Sequence, residues 1–337
     1  MTERQAPASL AAPQRRRASF GEPAAGKRRD GDETYYDMPA VKPTPFGWHV
    51  GVYLTISGVS GASQIIAAIA QRFGARRMQP VVRNGRYLAG AGAVIGPLLL
   101  MRDLKTPRRW YNMLRIFRKT SPMSIGSYVL TVFGAASGAT GLGQWLRNRG
   151  APGGGLVRVA ELPAAAAGAG MLTYTGALLT STSTPLWAAE SPWMSARFAA
   201  SGMASGAAAL AMCEQLAGRC ANARVLDSLA MSATATYAVL SHTAQRQVDD
   251  AGVGRPLDEA PHGTLYRMGS ALSVAIPLAC HALNLISGRR SRALSIAAAV
   301  SVLAGTALTR YAYLEAGKAS AKRADDYLHY TREERED

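Results

Sequence analysis

Three histidines lie in or beside apolar stretches of the chain: His49, His242 and His281. Two histidines that face each other between helices can hold a haem iron through both axial positions. The stretches that carry these three are not obvious neighbours, and a histidine on an apolar face is more often an ordinary core or interfacial side chain. The sequence therefore predicts no haem bound by this chain.

The cysteines offer no alternative ligand set for a metal. Cys213, Cys220 and Cys280 are the three cysteines of the chain, and none forms a Cys-x-x-Cys pair. Zinc ribbons and iron–sulfur clusters need such closely spaced thiolates. We therefore expect neither a metal centre nor a catalytic residue here, so redox chemistry would need centres held elsewhere.

The charges of this 337-residue chain are concentrated in its tails and in a few clumps. The chain carries a net charge of +16 and is 48% apolar. Residues 45–316 hold 25 Lys/Arg but only 10 Asp/Glu, whereas about a quarter of a typical soluble domain is charged. The sequence therefore predicts an all-α integral membrane protein.

Charge-free windows locate the predicted transmembrane helices, because a charge at the centre of a bilayer costs several kcal/mol. The windows are 43–71, 87–101, 120–146, 162–189, 198–213, 228–245, 268–288 and 293–309. A crossing needs about 20 residues, so the shorter windows must borrow flanking residues. Eight windows predict eight transmembrane helices, with both termini on the same side.

Small residues recur one helical turn apart inside these windows. The three clearest cases are 58–61, 134–138 and 202–206, each with Gly at both ends. Such spacing allows the backbones of neighbouring helices to approach closely in a bilayer. The pattern predicts a closely packed helical bundle.

Two carboxylates interrupt this apolar body, Glu161 and Asp227. An ionisable side chain inside a membrane is a candidate for an ion or proton path. Each also lies near the predicted start of a helix, where the macrodipole or the interface stabilises negative charge. Both interpretations stay open at this stage.

Residues 102–119 join the second and third predicted helices and alternate basic with aromatic side chains. Such a segment is suited to the lipid headgroup layer. Asp103 follows the second helix directly, close to Arg108 and Arg109. A carboxylate there needs a cationic partner.

This loop resembles the signature of the NrfD/polysulfide reductase membrane-subunit family. The residues that carry the resemblance are Asp103-Leu104, Pro107, Arg109, Asn112-Met113-Leu114-Arg115 and Thr120-Ser121-Pro122-Met123-Ser124. Residues 35–39 with Trp48, and residues 174–179 with Trp187, resemble further segments of the same family. The chain departs from the family pattern at Ser181, where an Asp often stands.

The resemblance implies two four-helix bundles, here 45–189 and 190–316, between a polar tail (1–44) and a charged tail (317–337). It implies a cofactor-free, multi-pass subunit of the bacterial cytoplasmic membrane that exchanges electrons between a quinone pool and a docked ferredoxin-like iron–sulfur subunit, alongside a molybdopterin oxidoreductase subunit. The expected cofactor is a non-covalently bound menaquinone or ubiquinone. The lipid bilayer is the other partner, and no nucleic acid is expected.

The quinone-binding candidates are Trp48, His49, Tyr53 and Tyr174. A quinone site needs an apolar slot with hydrogen-bonding groups at the carbonyl oxygens. In related subunits a His near position 53 and a Tyr in the fourth helix bind quinone, and here the first of these is Tyr53. An aromatic belt at the membrane interface explains Trp48 and Tyr53 equally well.

The loop supplies the remaining candidates. Asp103 and Arg109 are expected to form an ion pair or a proton relay. Arg108, Arg109, Asn112 and Arg115 are expected to dock the iron–sulfur partner through charge-assisted contacts. Two alternatives remain, a structural membrane anchor without quinone chemistry and a polytopic transporter.

Overall fold

Long helices form most of the computed structural model, which describes residues 41–102, 107–288 and 291–333. In chain order the helices are α1 (Trp48–Phe73), α2 (Gln79–Arg102), α3 (Pro122–Asn148), α4 (Gly154–Thr180), α5 (Pro185–Ala189), α6 (Trp193–Leu216), α7 (Cys220–Asp250), α8 (Arg255–Asp258), α9 (His262–Ser270), α10 (Ile276–Ile286), α11 (Arg292–Lys322) and α12 (Ala324–Glu333). A π-helical segment, Ala271–Ala275, joins α9 to α10. Short 3₁₀ helices precede α2 (Arg76–Met78) and α3 (Pro107–Leu114). The described residues contain no β-strand.

Five helical segments are long and apolar enough to cross a membrane: α1, α3, α4, the combined α9–α10 segment and α11. Helix α2, counted together with the 3₁₀ segment that follows it, gives a sixth candidate transmembrane segment. The chain is therefore a multi-pass membrane protein. Helices α6 and α7 do not meet the criterion, since α6 is rich in Ala, Gly and Ser and α7 carries Arg224 and Asp227 near its start.

The predicted windows and the observed helices differ mainly at their ends. The window 162–189 was expected to be one helix, but α4 ends at Thr180 and the separate helix α5 begins at Pro185. The window 162–189 is therefore uncharged but is not one continuous helix, because a turn at 181–184 separates α4 from the new helix that begins at Pro185. At the C-terminal end, α11 continues past residue 316 to Lys322.

The contacts between helices form two closed series. In the first, α1 packs on α2, α2 on α3, α3 on α4, and α4 on α1. In the second, α6 packs on α7, α7 on α10, α10 on α11, and α11 on α6. Helix α1 also contacts α6 and α11, so it links the two series.

Two hydrogen bonds identify the helix ends that lie side by side. The Lys318 ammonium donates to the Phe46 carbonyl over 2.9 Å, which brings the end of α11 to the start of α1. The Asn222 amide donates to the Arg77 carbonyl over 2.8 Å, which brings the start of α7 to the 3₁₀ helix between α1 and α2. We call the first end, with Phe46 and Lys318, the terminal face, and the second, with Arg77 and Asn222, the opposite face.

Two of the three glycine pairs mark close contacts between helices. A Cβ atom added at Gly61 would lie 2.7 Å from the Gly168 carbonyl oxygen of α4, and one at Gly58 would lie 3.1 Å from the Gly202 Cα atom of α6. The pairs 58–61 and 202–206 therefore pack as predicted. The pair 134–138 does not, since a Cβ at Gly138 meets nothing within 4 Å.

This difference leads to a prediction for packing. Gly61→Ala should lower the free energy of unfolding by about 2 kcal/mol, because the added methyl group meets backbone rather than a movable side chain. Thermal unfolding of the detergent-solubilised protein measures the effect. Gly138→Ala is the matched control and should leave stability unchanged or slightly higher. Equal effects of the two substitutions would contradict the assigned α1–α4 contact.

Candidate functional site

Tyr53 is the most buried of the predicted quinone-binding residues. It lies on α1, near the terminal face, and is 2% exposed. Its ring packs against α2, where a Cβ atom at Gly96 would lie 3.5 Å from the ring carbons. The Tyr53 hydroxyl is buried and has no hydrogen-bond partner among the described residues. A buried hydroxyl without a partner costs free energy, so this group calls for a ligand or a water molecule.

His49 lies one helical turn before Tyr53 on the same face of α1. Its Nδ1 atom is also buried and without a partner among the described residues. The Trp48 ring stacks on the His49 ring with a centroid distance of 4.1 Å. Trp48 itself is 58% exposed, which suits a side chain at the membrane interface.

Tyr174 occupies the last part of α4, at the same end of the first helix series. Its half-buried ring packs closely on α3, because a Cβ at Gly126 would lie 2.6 Å from its Cε2 atom. The adjacent Thr175 is buried, and its hydroxyl has no partner among the described residues. Tyr174 packs against the apolar cluster that contains Tyr53. The structure therefore brings both tyrosines to one cluster.

The predicted docking residues are exposed. Arg108, Arg109, Asn112 and Arg115 all lie on or directly after the 3₁₀ segment Pro107–Leu114 and point away from the core. Asp103 lies outside the described residues. The segment is fastened to α3 by Tyr128, whose hydroxyl donates to the Leu114 carbonyl over 2.8 Å.

The three histidines lie on different helices. His49 is at the start of α1, His242 is exposed on α7, and His281 is buried on α10. His281 lines a small cavity together with Asp227, Asn284 and Ser295. Within the described ranges, no three His, Cys, Asp or Glu side chains come close enough to hold a metal ion.

Glu161 is part of an ion pair that sequence reasoning missed. Its carboxylate accepts a hydrogen bond of 2.5 Å from Arg86 of α2, whose side chain is completely buried. Arg86 also donates to Gln144 of α3 over 2.7 Å and to Gln71 of α1 over 3.5 Å. One arginine thus connects all four helices of the first series. The main partner of Glu161 is therefore Arg86, rather than the helix dipole or the interface.

The position of Arg86 explains why this pair was missed. Arg86 directly precedes the predicted window 87–101, so it looked like a flanking residue that reaches the interface. Helix α2 in fact begins at Gln79, two turns earlier, and places Arg86 inside the packed helices. Its partner is 75 residues away in sequence, and no local pattern indicates it.

A second buried ion pair lies in the second helix series. Arg197 of α6 and Glu190 form an ion pair with an N–O distance of 2.8 Å, and both are essentially unexposed. The Arg197 guanidinium also lies over the Tyr313 ring, 4.6 Å from its centroid, and donates to the Tyr266 hydroxyl over 3.3 Å. Arg310 of α11 is buried nearby.

Comparison with known proteins agrees with the resemblance seen in the sequence. A family model described as "Polysulphide reductase, NrfD" matches residues 38–321, which is most of the chain. No curated protein matches it.

The Arg86–Glu161 pair generates a stability prediction. Arg86→Gln should lower the free energy of unfolding by about 3 kcal/mol, because it leaves a poorly solvated carboxylate without its cation. The double variant Arg86→Met/Glu161→Leu should lose less, since both charges are removed together. Thermal unfolding in detergent measures both. Arg158 is an exposed arginine on α4, and Arg158→Gln is the control. An equally large loss of stability in this control would show that the Arg86–Glu161 pair has no special role.

Proposed function

Because the chain belongs to the NrfD polysulphide reductase family of respiratory membrane subunits, we propose that it is the quinone-interacting anchor of an oxidoreductase complex. In this role it passes electrons between the quinone pool and a docked iron–sulfur subunit. The observation that carries the proposal is the buried Tyr53 hydroxyl, which has no hydrogen-bond partner in the described part of the chain. The carbonyl oxygen of a quinone accepts hydrogen bonds, and the Tyr53 hydroxyl can donate one to it.

The residues around Tyr53 fit a quinone headgroup. Leu99, Leu100 and Leu130 pack, like Tyr174, against the apolar cluster that contains Tyr53. The unpartnered atoms His49 Nδ1 and Thr175 Oγ1 lie on the same two helices, α1 and α4. Apolar walls with a few converging polar groups are typical of cofactor sites.

A bound quinone supplies a carrier for two electrons and two protons. Tyr53 and Tyr174 would hold the headgroup by donating hydrogen bonds to its oxygens. Tyrosine is a poor base at neutral pH, so protons would move through His49, which has an ionisable ring, or through Asp103. The polar contacts matter most when negative charge develops on the ligand oxygens, because an apolar surrounding does not solvate that charge.

We further propose that all eight long helical segments cross the bacterial cytoplasmic membrane, as two four-helix bundles. The support is the two closed series of helix contacts, joined through α1, α6 and α11. Helices α6 and α7 do not pass as candidate spans by length and composition, but α6 faces protein on most sides. A helix shielded from lipid by its neighbours can carry more polar residues.

The iron–sulfur subunit docks, in this proposal, on the segment that carries Arg108, Arg109, Asn112 and Arg115. The segment is exposed and basic, and Tyr128 and Phe117 hold it at the start of α3 through a ring contact with a centroid distance of 5.0 Å. The quinone candidates lie at the same, terminal face. A cluster in the partner would therefore come close to the quinone, and a molybdopterin subunit would complete the complex.

The docking proposal predicts the effect of charge reversal. Arg109→Glu with Arg115→Glu should release the iron–sulfur subunit in a pull-down from solubilised membranes, because opposed charges now repel. The membrane subunit should still fold, as both side chains are exposed. Arg158→Glu on the opposite face is the matched control and should retain the partner. Full retention in the double variant would rule out docking at this segment.

The quinone proposal predicts the effect of removing one hydroxyl. Tyr53→Phe and Tyr174→Phe should each slow quinone-linked electron transfer by about ten-fold, the scale of a lost hydrogen bond worth about 1.5 kcal/mol. Assembly of the complex and its activity with an artificial electron carrier should be unchanged. Tyr87→Phe, which alters a hydroxyl at the opposite end of α2, should be nearly silent.

The double variant Tyr53→Phe/Tyr174→Phe separates this proposal from its alternative. If the complex assembles and turns over quinone normally, the site lies elsewhere. If wild-type membranes show no quinone-linked transfer at all, the chain is a structural anchor. Loss of transfer in the double variant alone supports the assigned site.

A further inference from the structure

Arg310 is a buried cation in the middle of α11. It is 4% exposed, and its guanidinium lies over the Phe198 ring at 4.7 Å from the centroid. One terminal nitrogen donates to the Phe198 carbonyl and to the Ser201 hydroxyl, each over 2.9 Å. The other donates to the Leu54 carbonyl of α1. The side chain therefore binds α1 and α6 together, but through neutral acceptors.

The charge of Arg310 is not balanced by the protein around it. Among the described residues, no carboxylate lies within ion-pair distance of its guanidinium. Arg197, which lines the same cavity, is already paired with Glu190. The cluster of Glu190, Arg197 and Arg310 thus carries one excess positive charge. A charge buried without a counter-charge is costly, so a counter-ion would be stabilising.

A small cavity lies beside this charge. Its wall is formed by both arginines, by the rings of Tyr237 and Tyr313, and by Ser201, Thr306 and Thr309, with no acidic side chain. The space open to the centre of a water-sized molecule is about 10 Å³, which holds about one water molecule, so the somewhat larger chloride ion requires the side chains of the wall to shift slightly outward. Polyatomic anions such as phosphate are too large. The Nε atom of Arg310 is buried and has no hydrogen-bond partner among the described residues.

We propose that this cavity binds one small monovalent anion, with chloride as the physiological ligand. The anion neutralises Arg310 and accepts the hydrogen bond that its Nε atom lacks. Water would satisfy the hydrogen bond but not the charge. The site is separate from the proposed quinone contacts, and it holds α1, α6 and α11 together where the two helix series meet.

The first test uses the wild-type chain in detergent. Thermal unfolding is followed at constant ionic strength while sodium gluconate is replaced by sodium chloride. We expect the midpoint to rise with the logarithm of the chloride concentration once chloride exceeds its dissociation constant, as for any ligand that binds only the folded state. Bromide should replace chloride and give anomalous diffraction density beside Arg310. Identical midpoints in gluconate and chloride, together with no bromide density, would overturn the proposal.

Two variants and a control test whether chloride binds in the cavity beside Arg310. Arg310→Gln should abolish the chloride dependence. Thr306→Val removes one hydroxyl from the cavity wall and should raise the apparent dissociation constant for chloride, fitted from the rise of the midpoint, about five-fold. Arg86→Gln removes a buried arginine that has its own carboxylate, so it should lower the midpoint but keep the chloride dependence. A wild-type chloride response in Arg310→Gln would exclude this cavity. If Arg310→Gln does not fold, Thr306→Val and the bromide density decide.

Discussion

Helix α1 can sit between so many neighbours only because its inward faces carry small side chains. Inside a bilayer no hydrophobic gain brings helices together, so close backbone approach must supply the attraction. Gly61 meets the backbone of α4 and Gly58 meets that of α6. The same helix contacts α2 and α11. A larger residue at Gly61 would push α1 away from α4 within the first series, and one at Gly58 would push the first series away from α6 of the second.

The buried charges depend on this close packing. Arg86 reaches side chains on three other helices, and Arg310 reaches carbonyl oxygens on α1 and α6. Such contacts satisfy arginine only when the surrounding backbones are near and fixed. The Arg310 cluster adjoins the proposed quinone site, because Arg310 donates to the Leu54 carbonyl and both Phe198 and Tyr313 belong to the same apolar cluster as Tyr53.

Much of the fold was predictable from patterns along the chain. Exclusion of charge located the apolar segments, and glycine spacing found the contacts at 58–61 and 202–206. The same spacing at 134–138 produced no close contact, because which face of a helix meets a neighbour is a tertiary property. The break between Thr180 and Pro185 escaped detection, since hydropathy does not register a turn built from Ser and Thr.

The polar groups of the site were only partly predictable. Tyr53 and Tyr174 could be selected by residue type and by family resemblance, but the burial of the Tyr53 hydroxyl needed the packing of α2. Arg86, Arg197 and Arg310 each border a charge-free window, so no pattern along the chain indicated that they are buried. Their partners lie on other helices or, for Arg310, are backbone carbonyls, and a sequence pattern contains no information on either.

The most direct measurement is photolabelling of the purified subunit in lipid nanodiscs with an azido-quinone, with and without excess menaquinone. The account predicts saturable labelling that menaquinone suppresses, located in peptides from the first turns of α1 and the last turns of α4. Labelling that menaquinone does not suppress, or that falls only on exposed lipid-facing residues, would contradict a quinone site between these helices.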